Sequence, residues 1–557
     1  MIRRGDNRKL LYSTVCSLVG LYCLTGCIPQ SYKGEADEQV YRIIDQKWQD
    51  EFGSKANYKI SDVAPSPNDI QIEKTIPSGG VLSLAQAVAI GTAHNRDYQT
   101  QKELLYTMAL DLRLTRHIFE TQYFGGFSGG YAADSNDKDM GLEGNLGFNR
   151  LLATGTFISA KISHAWLDVL SGNMQGGMAS ILSATVTQPL LRGSDRKVVL
   201  ENLTQAERNT LYQVRFFNRF RKTFVVSIIT QYYQVLELYN LTRIAEANYN
   251  TITWLYERVE KLTNAGRLPM LELDRMHQEK LKARDIYVQA VKDYGSLLDL
   301  FKITLGVPTT TEIRLDESNL ETLKTAGMHY PDFDEGEAVE TALYQRFDIT
   351  NSADAVIDAQ RKVFVAADAL RADLSIIGTT NAALQQQGGR QTMQAADDYT
   401  LDFELSLPFD RVVEQNVYRK ALITLNQRQR EYELAADTVK MEIRQAYRDL
   451  KEATERYKLQ SEGLSLAQER FKKTFLLMQY ARVSSRRVLD AQNDLYDAQS
   501  EATDALVDYA VAMLNFYRDT GSLQVLPDGM WEKSADKEPL VSELSFVGSS
   551  SKSEIGE

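Results

Sequence analysis

The sequence predicts a mainly α-helical protein with a membrane β-barrel portion, built as a tandem repeat of long coiled-coil helices. Three observations in the 557 residues predict this fold class. Apolar residues keep a heptad spacing over very long segments, strand-like alternation lies between those segments, and the whole order occurs twice. Such a chain combines a tall helical bundle with strands that belong to a sheet or barrel.

The heptad spacing is clearest near the C-terminus. Val488, Ala491, Leu495, Ala498 and Ala502 alternate spacings of three and four residues. This pattern predicts a left-handed coiled coil with close helix approach at the alanines. A predicted helix of about 65 residues spans roughly 100 Å at 1.5 Å per residue. The two shorter helices of each repeat, placed end to end, match the length of one long helix.

The duplication appears in two related segments. QAVAIGTAHNRDY at 86–98 matches EAVETALYQRFDI at 337–349, an offset of 251 residues. LGVP at 305–308 matches TGSL at 520–523, an offset of 215 residues. The fall in offset predicts an insertion of about 36 residues in the first half, between residues 98 and 231.

The repeats divide the chain into a signal peptide, a tether, two repeats joined by a linker, and a flexible tail. In chain order these parts are 1–26, 27–80, 81–310, 311–334, 335–525 and 526–557. Prolines and polar residues predict the tether, and Ser, Lys and Glu predict the mobile tail. The predicted helices are 82–117, 197–262, 269–304, 335–370, 412–478 and 484–518. Strands are predicted over about 119–191 and about 372–409.

All three cysteines lie at the N-terminus, and Cys27 is the last of them. Basic residues precede an uncharged run at 14–24, which is typical of an export signal and too short to span a membrane. The run ends in Leu24-Thr25-Gly26-Cys27, which resembles the lipobox of bacterial lipoproteins. That resemblance implies cleavage before Cys27 and acylation of its thiol. An ordinary secretory signal or a short anchor is the alternative.

The predicted strands have one apolar and one polar face. Tyr399, Leu401 and Phe403 alternate with Thr400 and Asp402. Alternation alone fits a half-buried strand or a barrel strand with lipid outside and water inside. The export signal and the flanking helices favour the barrel. If these strands span a membrane, several chains must share one barrel, because a few strands cannot close a barrel and lipid tolerates no open edge.

The composition argues against other classes of protein. The 63 basic and 75 acidic residues give a net charge of −12, which disfavours nucleic acid as a partner. The five histidines show no zinc-ligand spacing, and no P-loop, HExxH or GxSxG motif occurs. We therefore predict neither an enzyme nor a cofactor.

The duplicated motifs, together with TQPLLRG at 187–193 and VLDAQNDLYDAQ at 488–499, resemble the TolC-type outer membrane factors. The resemblance covers roughly residues 80–525. It implies a homotrimer with a shared 12-stranded β-barrel and a helical α-barrel tunnel across the periplasm. It also implies a periplasmic adaptor (a membrane fusion protein), an inner-membrane RND or ABC pump, and a role in efflux or type I secretion. The location would be the outer membrane of a Gram-negative-type bacterium, with a lipid anchor.

One segment departs from that family. GLEGNLGFNRLLATGTFISAKISHAW, at 141–166, is predicted to form a strand, a tight turn at 153–155 and a second strand. This segment would raise the count from four strands per chain to six. We expect these strands either to widen the barrel to 18 strands or to form a hairpin beside it.

The helix turns at 263–270 and 479–485 are the predicted periplasmic gate. The resemblance implies rings of acidic side chains just after these turns, at Asp490 and, by the internal repeat, at Asp274. Alternatively, both are exposed carboxylates near helix N-termini, where the macrodipole favours them. The family's second acidic position is an arginine here. Four arginines are predicted to latch the gate by ion pairs or to form an anion-selective collar: Arg267, Arg482, Arg486 and Arg487.

A different class of protein also fits the sequence. A periplasmic coiled-coil lipoprotein scaffold or adaptor would share the long helices and the acylation, but it would have no pore. The sequence does not name the transported substrate, because channels of similar sequence pass drugs, polypeptides or metals.

Overall fold

The structure is a computed structural model, and it describes residues 29–48, 58–60, 80–133, 138–169, 177–326, 334–387, 390–393, 398–407, 409–480, 482–525 and 531–533. The predicted signal peptide, Cys27 and most of the predicted tail lie outside the described residues. The helices in chain order, α1 to α11, are Pro29–Lys47, Leu84–His94, Arg96–His117, Arg196–Val199, Glu201–Asn264, Met270–Leu305, Ser318–Ala326, Glu335–Gln345, Phe347–Asp368, Val412–Gln479 and Ser485–Thr520.

The strands flank and connect these helices. In chain order, β1 to β11 are Val81–Leu82, Gln122–Ala133, Lys138–Leu151, Phe157–Val169, Gly177–Pro189, Arg314–Leu315, Asp373–Gln387, Arg390–Met393, Asp398–Ser406, Leu523–Val525 and Trp531–Lys533. β1 pairs with β6 and β10 with β11, and the other seven strands form one antiparallel sheet. None of the described helices has both the length and the apolar character needed to cross a membrane.

Two antiparallel helical hairpins form the long body of the molecule. α5 and α6 make the first hairpin, and α10 and α11 make the second. α5 has 64 residues and α10 has 68, so they span about 96 and 102 Å at 1.5 Å per residue. The heptad seam explains the pairing, because Val488, Ala491, Ala502 and Ala505 of α11 are all buried.

The two repeats use the same joint between helices. α6 ends at Gly306, which has a φ of +76° and packs closely against the carbonyl of His94 at the end of α2. α11 ends at Gly521, which has a φ of +82° and packs closely against Gln345 at the end of α8. A glycine in the left-handed region lets the chain turn there without a Cβ clash. Each long helix is therefore covered by shorter helices that meet end to end.

Three predicted helices are interrupted, which corrects the prediction; the one predicted over 197–262 is broken near its start, at Leu200. The segment predicted as one helix over 82–117 is split at Asn95, which has extended backbone (φ −64°, ψ 133°). Asn95 accepts a hydrogen bond from the Tyr98 amide and donates one to the Thr304 carbonyl, so it both caps α3 and binds α6. The segment predicted over 335–370 is split in the same way at Arg346. Arg346 is buried and binds Asp348 and Glu442.

The predicted tether contains a helix. α1 buries Val40, Ile43 and Ile44 in the main core of the helical body. The Arg113 side chain of α3 donates a hydrogen bond of 2.6 Å to Gln39. This part of the tether therefore packs on the helical body.

The seven-stranded sheet has the order β2-β3-β4-β5-β7, with β9 and the short β8 both pairing with β7. Strand register assigns each residue to one of two faces. The apolar face includes Tyr123, Phe127, Leu146, Phe148, Ile158, Ile162, Leu182, Val186, Ile376, Leu401, Phe403 and Leu405. The polar face includes Glu143, Asn145, Ser159, Lys161, Ser163, Ser183, Thr185, Thr379, Thr400, Asp402 and Glu404, with Phe124, Phe157, Ile181 and Ile377 as apolar exceptions.

Every connection between the sheet and the long helices lies at one end of the sheet. α3 leads into β2, β5 leads into α4 and α5, α9 leads into β7, and β9 leads into α10. The Leu190 amide donates to the Leu374 carbonyl (2.7 Å), and Arg411 donates to the Leu370 carbonyl (2.8 Å). The sheet and the two helical hairpins are thereby joined at a single junction.

Candidate functional site

The turn between α5 and α6 closes the first hairpin. The amide of Gly266 donates to the Thr263 carbonyl (2.8 Å), and the Arg267 amide donates to the Leu262 carbonyl (2.9 Å). Gly266 has a φ of +70°, which satisfies the helix end without a side chain in the way. Pro269 has extended backbone and directly precedes α6. A proline fits this position because it cannot continue α5.

The turn between α10 and α11 closes the second hairpin without glycine or proline. The Arg482 amide donates to the Leu477 carbonyl (2.9 Å), and Ser484 precedes α11 with extended backbone. Tyr480 is exposed in this turn. The two turns therefore differ in chemistry although they occupy equivalent places in the repeat.

The two turns lie at a common tip, because one apolar cluster contains residues of all four helices. The cluster comprises Ile252, Leu255, Val259, Leu273, Met276, Ala283, Met478, Val488 and Leu489. Trp254 packs on Phe475 with 5.5 Å between ring centroids, and Arg258 lies over the Trp254 ring. The hairpins are thus packed side by side at this end.

The predicted gate residues surround this tip and face outward. Asp274 and Asp490 follow the buried Leu273 and Leu489, and both aspartates are exposed. The equivalent placement fits the internal repeat. Arg267, Arg482, Arg486 and Arg487 are exposed as well.

The ion pairs that an arginine latch requires are not formed within the described part of one chain. Among the ion pairs found there, none involves Arg267, Arg482, Arg486 or Arg487. The exposed guanidinium groups are free to meet other molecules or other copies of the chain.

Polar side chains cross the interface between the two hairpins, and the sequence analysis missed them. Gln492 of α11 donates to Asn248 of α5 (2.9 Å), and both side chains are buried. Higher up, Asn240 of α5 donates to Thr503 of α11 (3.0 Å). Gln492 adjoins the seam residue Ala491 and Thr503 adjoins Ala502, so polar residues beside the seam were the available signal.

A cluster of carboxyl groups occupies the same interface. Burial, together with the charge of Asp504 and a hydrogen bond to it, raises the pKa of Glu237 to about 8. Burial also raises the pKa of Asp504. Asp508 accepts a hydrogen bond of 2.8 Å from Arg456. Glu237 therefore holds its proton to a higher pH than an exposed carboxyl does.

No group of three or more His, Cys, Asp or Glu side chains suited to a metal ion occurs among the described residues. The hairpin interface carries apolar, amide, hydroxyl and carboxyl groups, and the tip adds Arg258 over the Trp254 ring. Their arrangement suits control of the relative position of two hairpins.

Comparison with known proteins gives a consistent structural answer. No protein-family model matches this sequence, and no curated protein sequence matches it. Solved structures do match: the outer-membrane channel OprN has a TM-score of 0.59 at 15% identity, covering 83% of this chain and 98% of that one. The outer membrane channel CmeC of Campylobacter jejuni has a TM-score of 0.56 at 14% identity, covering 88% and 93%.

The open state of the MtrE outer membrane channel of Neisseria gonorrhoeae is similar too, with a TM-score of 0.57 at 14% identity, covering 79% and 88%. The chain thus has the fold of outer membrane channels. The fold resemblance extends over nearly the whole length of those proteins, helices and strands included.

Proposed function

We propose that this protein is the outer membrane channel-tunnel of a tripartite efflux or type I secretion system. One observation carries the proposal. A sheet with a largely apolar face is joined at one end to two helical hairpins about 100 Å long, which finish in a common tip. The sheet fits the membrane and the hairpins fit the periplasm.

The apolar face needs an apolar environment. Tyr123, Leu146 and Phe403 are 82%, 71% and 67% exposed in the single chain. Such a contiguous apolar surface marks contact with lipid or with another protein. Lipid contact requires that the sheet edges be paired, so we propose a homotrimer that shares one β-barrel.

The helices supply the second surface for trimer formation. Four apolar residues of α10 are exposed in the single chain: Leu434, Met441, Leu459 and Leu466. Leu434 and Met441 are seven residues apart, and so are Leu459 and Leu466. A heptad stripe that the chain leaves uncovered is suited to a further coiled-coil contact. Three copies would then enclose an α-helical tunnel.

The tip is the proposed gate and docking end. Asp274 and Asp490 of three copies would form acidic rings, since rings of charged side chains are a common selectivity device. The four exposed arginines would latch neighbouring copies. Replacing Arg486 and Arg487 with alanine should raise the open probability, whereas replacing the remote exposed Arg428 and Arg430 should not.

The partners follow from the passive nature of such a channel. Substrate would be delivered by a periplasmic adaptor and an inner-membrane RND or ABC pump that supplies the energy. The proposed lipid anchor at Cys27 would hold the N-terminus to the outer membrane beside the barrel. Cys27→Ser should abolish incorporation of labelled palmitate while trimers of exported protein persist.

Single-channel recording tests the proposal. The protein in a planar bilayer should conduct, and a pore-free scaffold or adaptor would give no current. The scaffold has less support, because it would not require the long sheet with its exposed apolar face.

A further inference from the structure

The hairpin formed by β3 and β4, with its turn at 152–156, is called the inserted hairpin below. It lies in the middle of the sheet. β3 pairs with β2 from Gln122–Asn149 to Ala133–Lys138, and β4 pairs with β5 from Phe157–Thr187 to Leu167–Gly177. The inserted hairpin is therefore the only link between β2 and the rest of the sheet among the described strands.

The inserted hairpin continues both faces of the sheet, with Arg150 and His164 as polar exceptions on the apolar face. Leu146 and Ile162 lie opposite each other on the apolar face, and Leu182 follows in β5. Asn145 and Ser163 lie opposite each other on the polar face. A hairpin resting beside a barrel would need no such match, whereas a hairpin within the wall requires it on every strand.

The turn of the inserted hairpin is fixed to the junction with the helices. Gly155 has a φ of +80°, and a Cβ on it would lie 2.6 Å from the Gly193 carbonyl oxygen and 2.9 Å from Pro189. Thr156 hydrogen-bonds Gln188 through its hydroxyl, and Gln188 donates in turn to the Thr154 carbonyl. The turn is thus seated on the end of β5, level with the strand ends that lead into helices.

The edges of the sheet suit head-to-tail closure. β2 and the β8–β9 path lie at opposite edges, and neither has a second partner among the described strands. Six long strands alternate in direction, so β2 runs away from the helices and β9 runs towards them. β2 of one copy therefore meets β9 of the next copy in the antiparallel sense.

We propose that three copies close an 18-stranded barrel in which the inserted hairpin is part of the wall. The proposal rests on the proposed function for the trimer. Strands 4.8 Å apart and tilted by 40° give a diameter of about 36 Å for 18 strands and about 24 Å for 12. Barrels of 16 to 18 strands leave an aqueous channel. The membrane exit is then wide and polar, and the tip remains the narrow part of the path.

Site-specific labelling tests the wall position. The chain has no cysteine after Cys27, so a polarity-sensitive dye reports one introduced site at a time. In trimers reconstituted into phosphatidylcholine vesicles, Leu146→Cys and Ile162→Cys should be quenched by a lipid-borne quencher. Asn145→Cys and Ser163→Cys should be quenched by a water-soluble quencher instead.

Leu401→Cys in β9 is the matched control, since it lies on the same apolar face outside the inserted hairpin. Lipid quenching at Leu401 without lipid quenching at Leu146 and Ile162 would overturn the 18-stranded barrel and leave the proposed function intact. Water exposure at all three sites would overturn the proposed function as well.

Imaging gives the second measurement. Electron cryomicroscopy of native trimers in lipid nanodiscs should show 18 strands in cross-section. A variant lacking residues 138–169 keeps four alternating strands and should show 12, with a barrel diameter about 1.5-fold smaller. Twelve strands in the native trimer, with extra density beside the wall, would contradict the proposal even if the shortened variant does not fold.

Discussion

Gln492 donates a hydrogen bond of 2.9 Å to Asn248, and this contact joins the two hairpins where both side chains are buried. It lies near the tip, below the contact of Asn240 with Thr503. A displacement of one hairpin along the other at this level would stretch or break it. A buried amide left without a partner costs more free energy than the hydrogen bond contributes.

We therefore expect Gln492→Leu to lower the free energy of unfolding by about 1–3 kcal/mol and to raise the open probability. The double variant Asn248→Leu with Gln492→Leu should recover much of the stability, because no polar group is left unpaired. Denaturant titration and single-channel recording measure the two effects. The double variant could instead lose as much free energy of unfolding as the single variants Asn248→Leu and Gln492→Leu lose in sum. That result would show that the hydrogen bond is not the cause.

The Glu237 carboxyl predicts a pH dependence. Its pKa rises from 4.5 to about 8 on folding, because of burial and the neighbouring Asp504. Between these two values the folded state binds more protons than the unfolded state, so stability falls as pH rises. Arg456 faces the same cluster through its hydrogen bond to Asp508.

The Tm of the purified protein should therefore fall between pH 5 and pH 8, and Glu237→Gln should flatten this dependence. Glu246→Gln, at an exposed position of the same helix, is the control and should leave the slope unchanged. An equal slope in the native protein and the Glu237 variant would rule out this carboxyl as the source.

The proposed acidic rings predict a change in ion selectivity. Replacing Asp274 and Asp490 with alanine removes two carboxylates per chain at the tip, so the cation-to-anion permeability ratio should fall and block by multivalent cations should weaken. Reversal potentials in a salt gradient measure the ratio. Asp437→Ala, exposed in α10 and remote from both turns, is the control. Unchanged selectivity and block in the double variant would exclude the rings.

Gly306 and Gly521 predict a stability loss that the two repeats share. Alanine at Gly306 would combine left-handed backbone with a Cβ 2.3 Å from the His94 carbonyl oxygen. The loss should be at least about 1 kcal/mol at each glycine, and larger at Gly306, where the neighbour is backbone.

Gly295 provides the matched control for these glycine substitutions. It lies within α6 with open space around it, so Gly295→Ala should stabilise by about 0.5–1 kcal/mol. Thermal unfolding of the three single variants gives the comparison. Equal stability of the Gly306 and Gly295 variants would contradict the packing described for the joint.

The sequence predicted the elements whose signal is periodic. Heptads indicated the long helices, and alternation at 141–166 indicated the strands of the inserted hairpin, because both periods follow directly from backbone geometry. The apolar face that the strands share became visible only from the register of strand pairing. Alternation shows which residues of one strand lie on the same face, but not which faces of neighbouring strands coincide.

Features that depend on single residues were not predicted from the sequence. The breaks at Asn95 and Arg346 arise from tertiary contacts with Thr304 and Glu442, which leave no trace in local periodicity. The Gln492–Asn248 contact depends on how the hairpins are rotated about their axes. The role predicted for the four arginines stays a prediction, because ion pairs between copies of the chain are not represented in a single chain.

The channel itself is tested most directly by single-channel recording of the full-length protein in a planar lipid bilayer. We expect discrete, reproducible current steps, because the proposed trimer would enclose a continuous path from the tip to the membrane exit. Protein that inserts as a trimer and yet carries no current, even with Arg486 and Arg487 replaced by alanine, would contradict it.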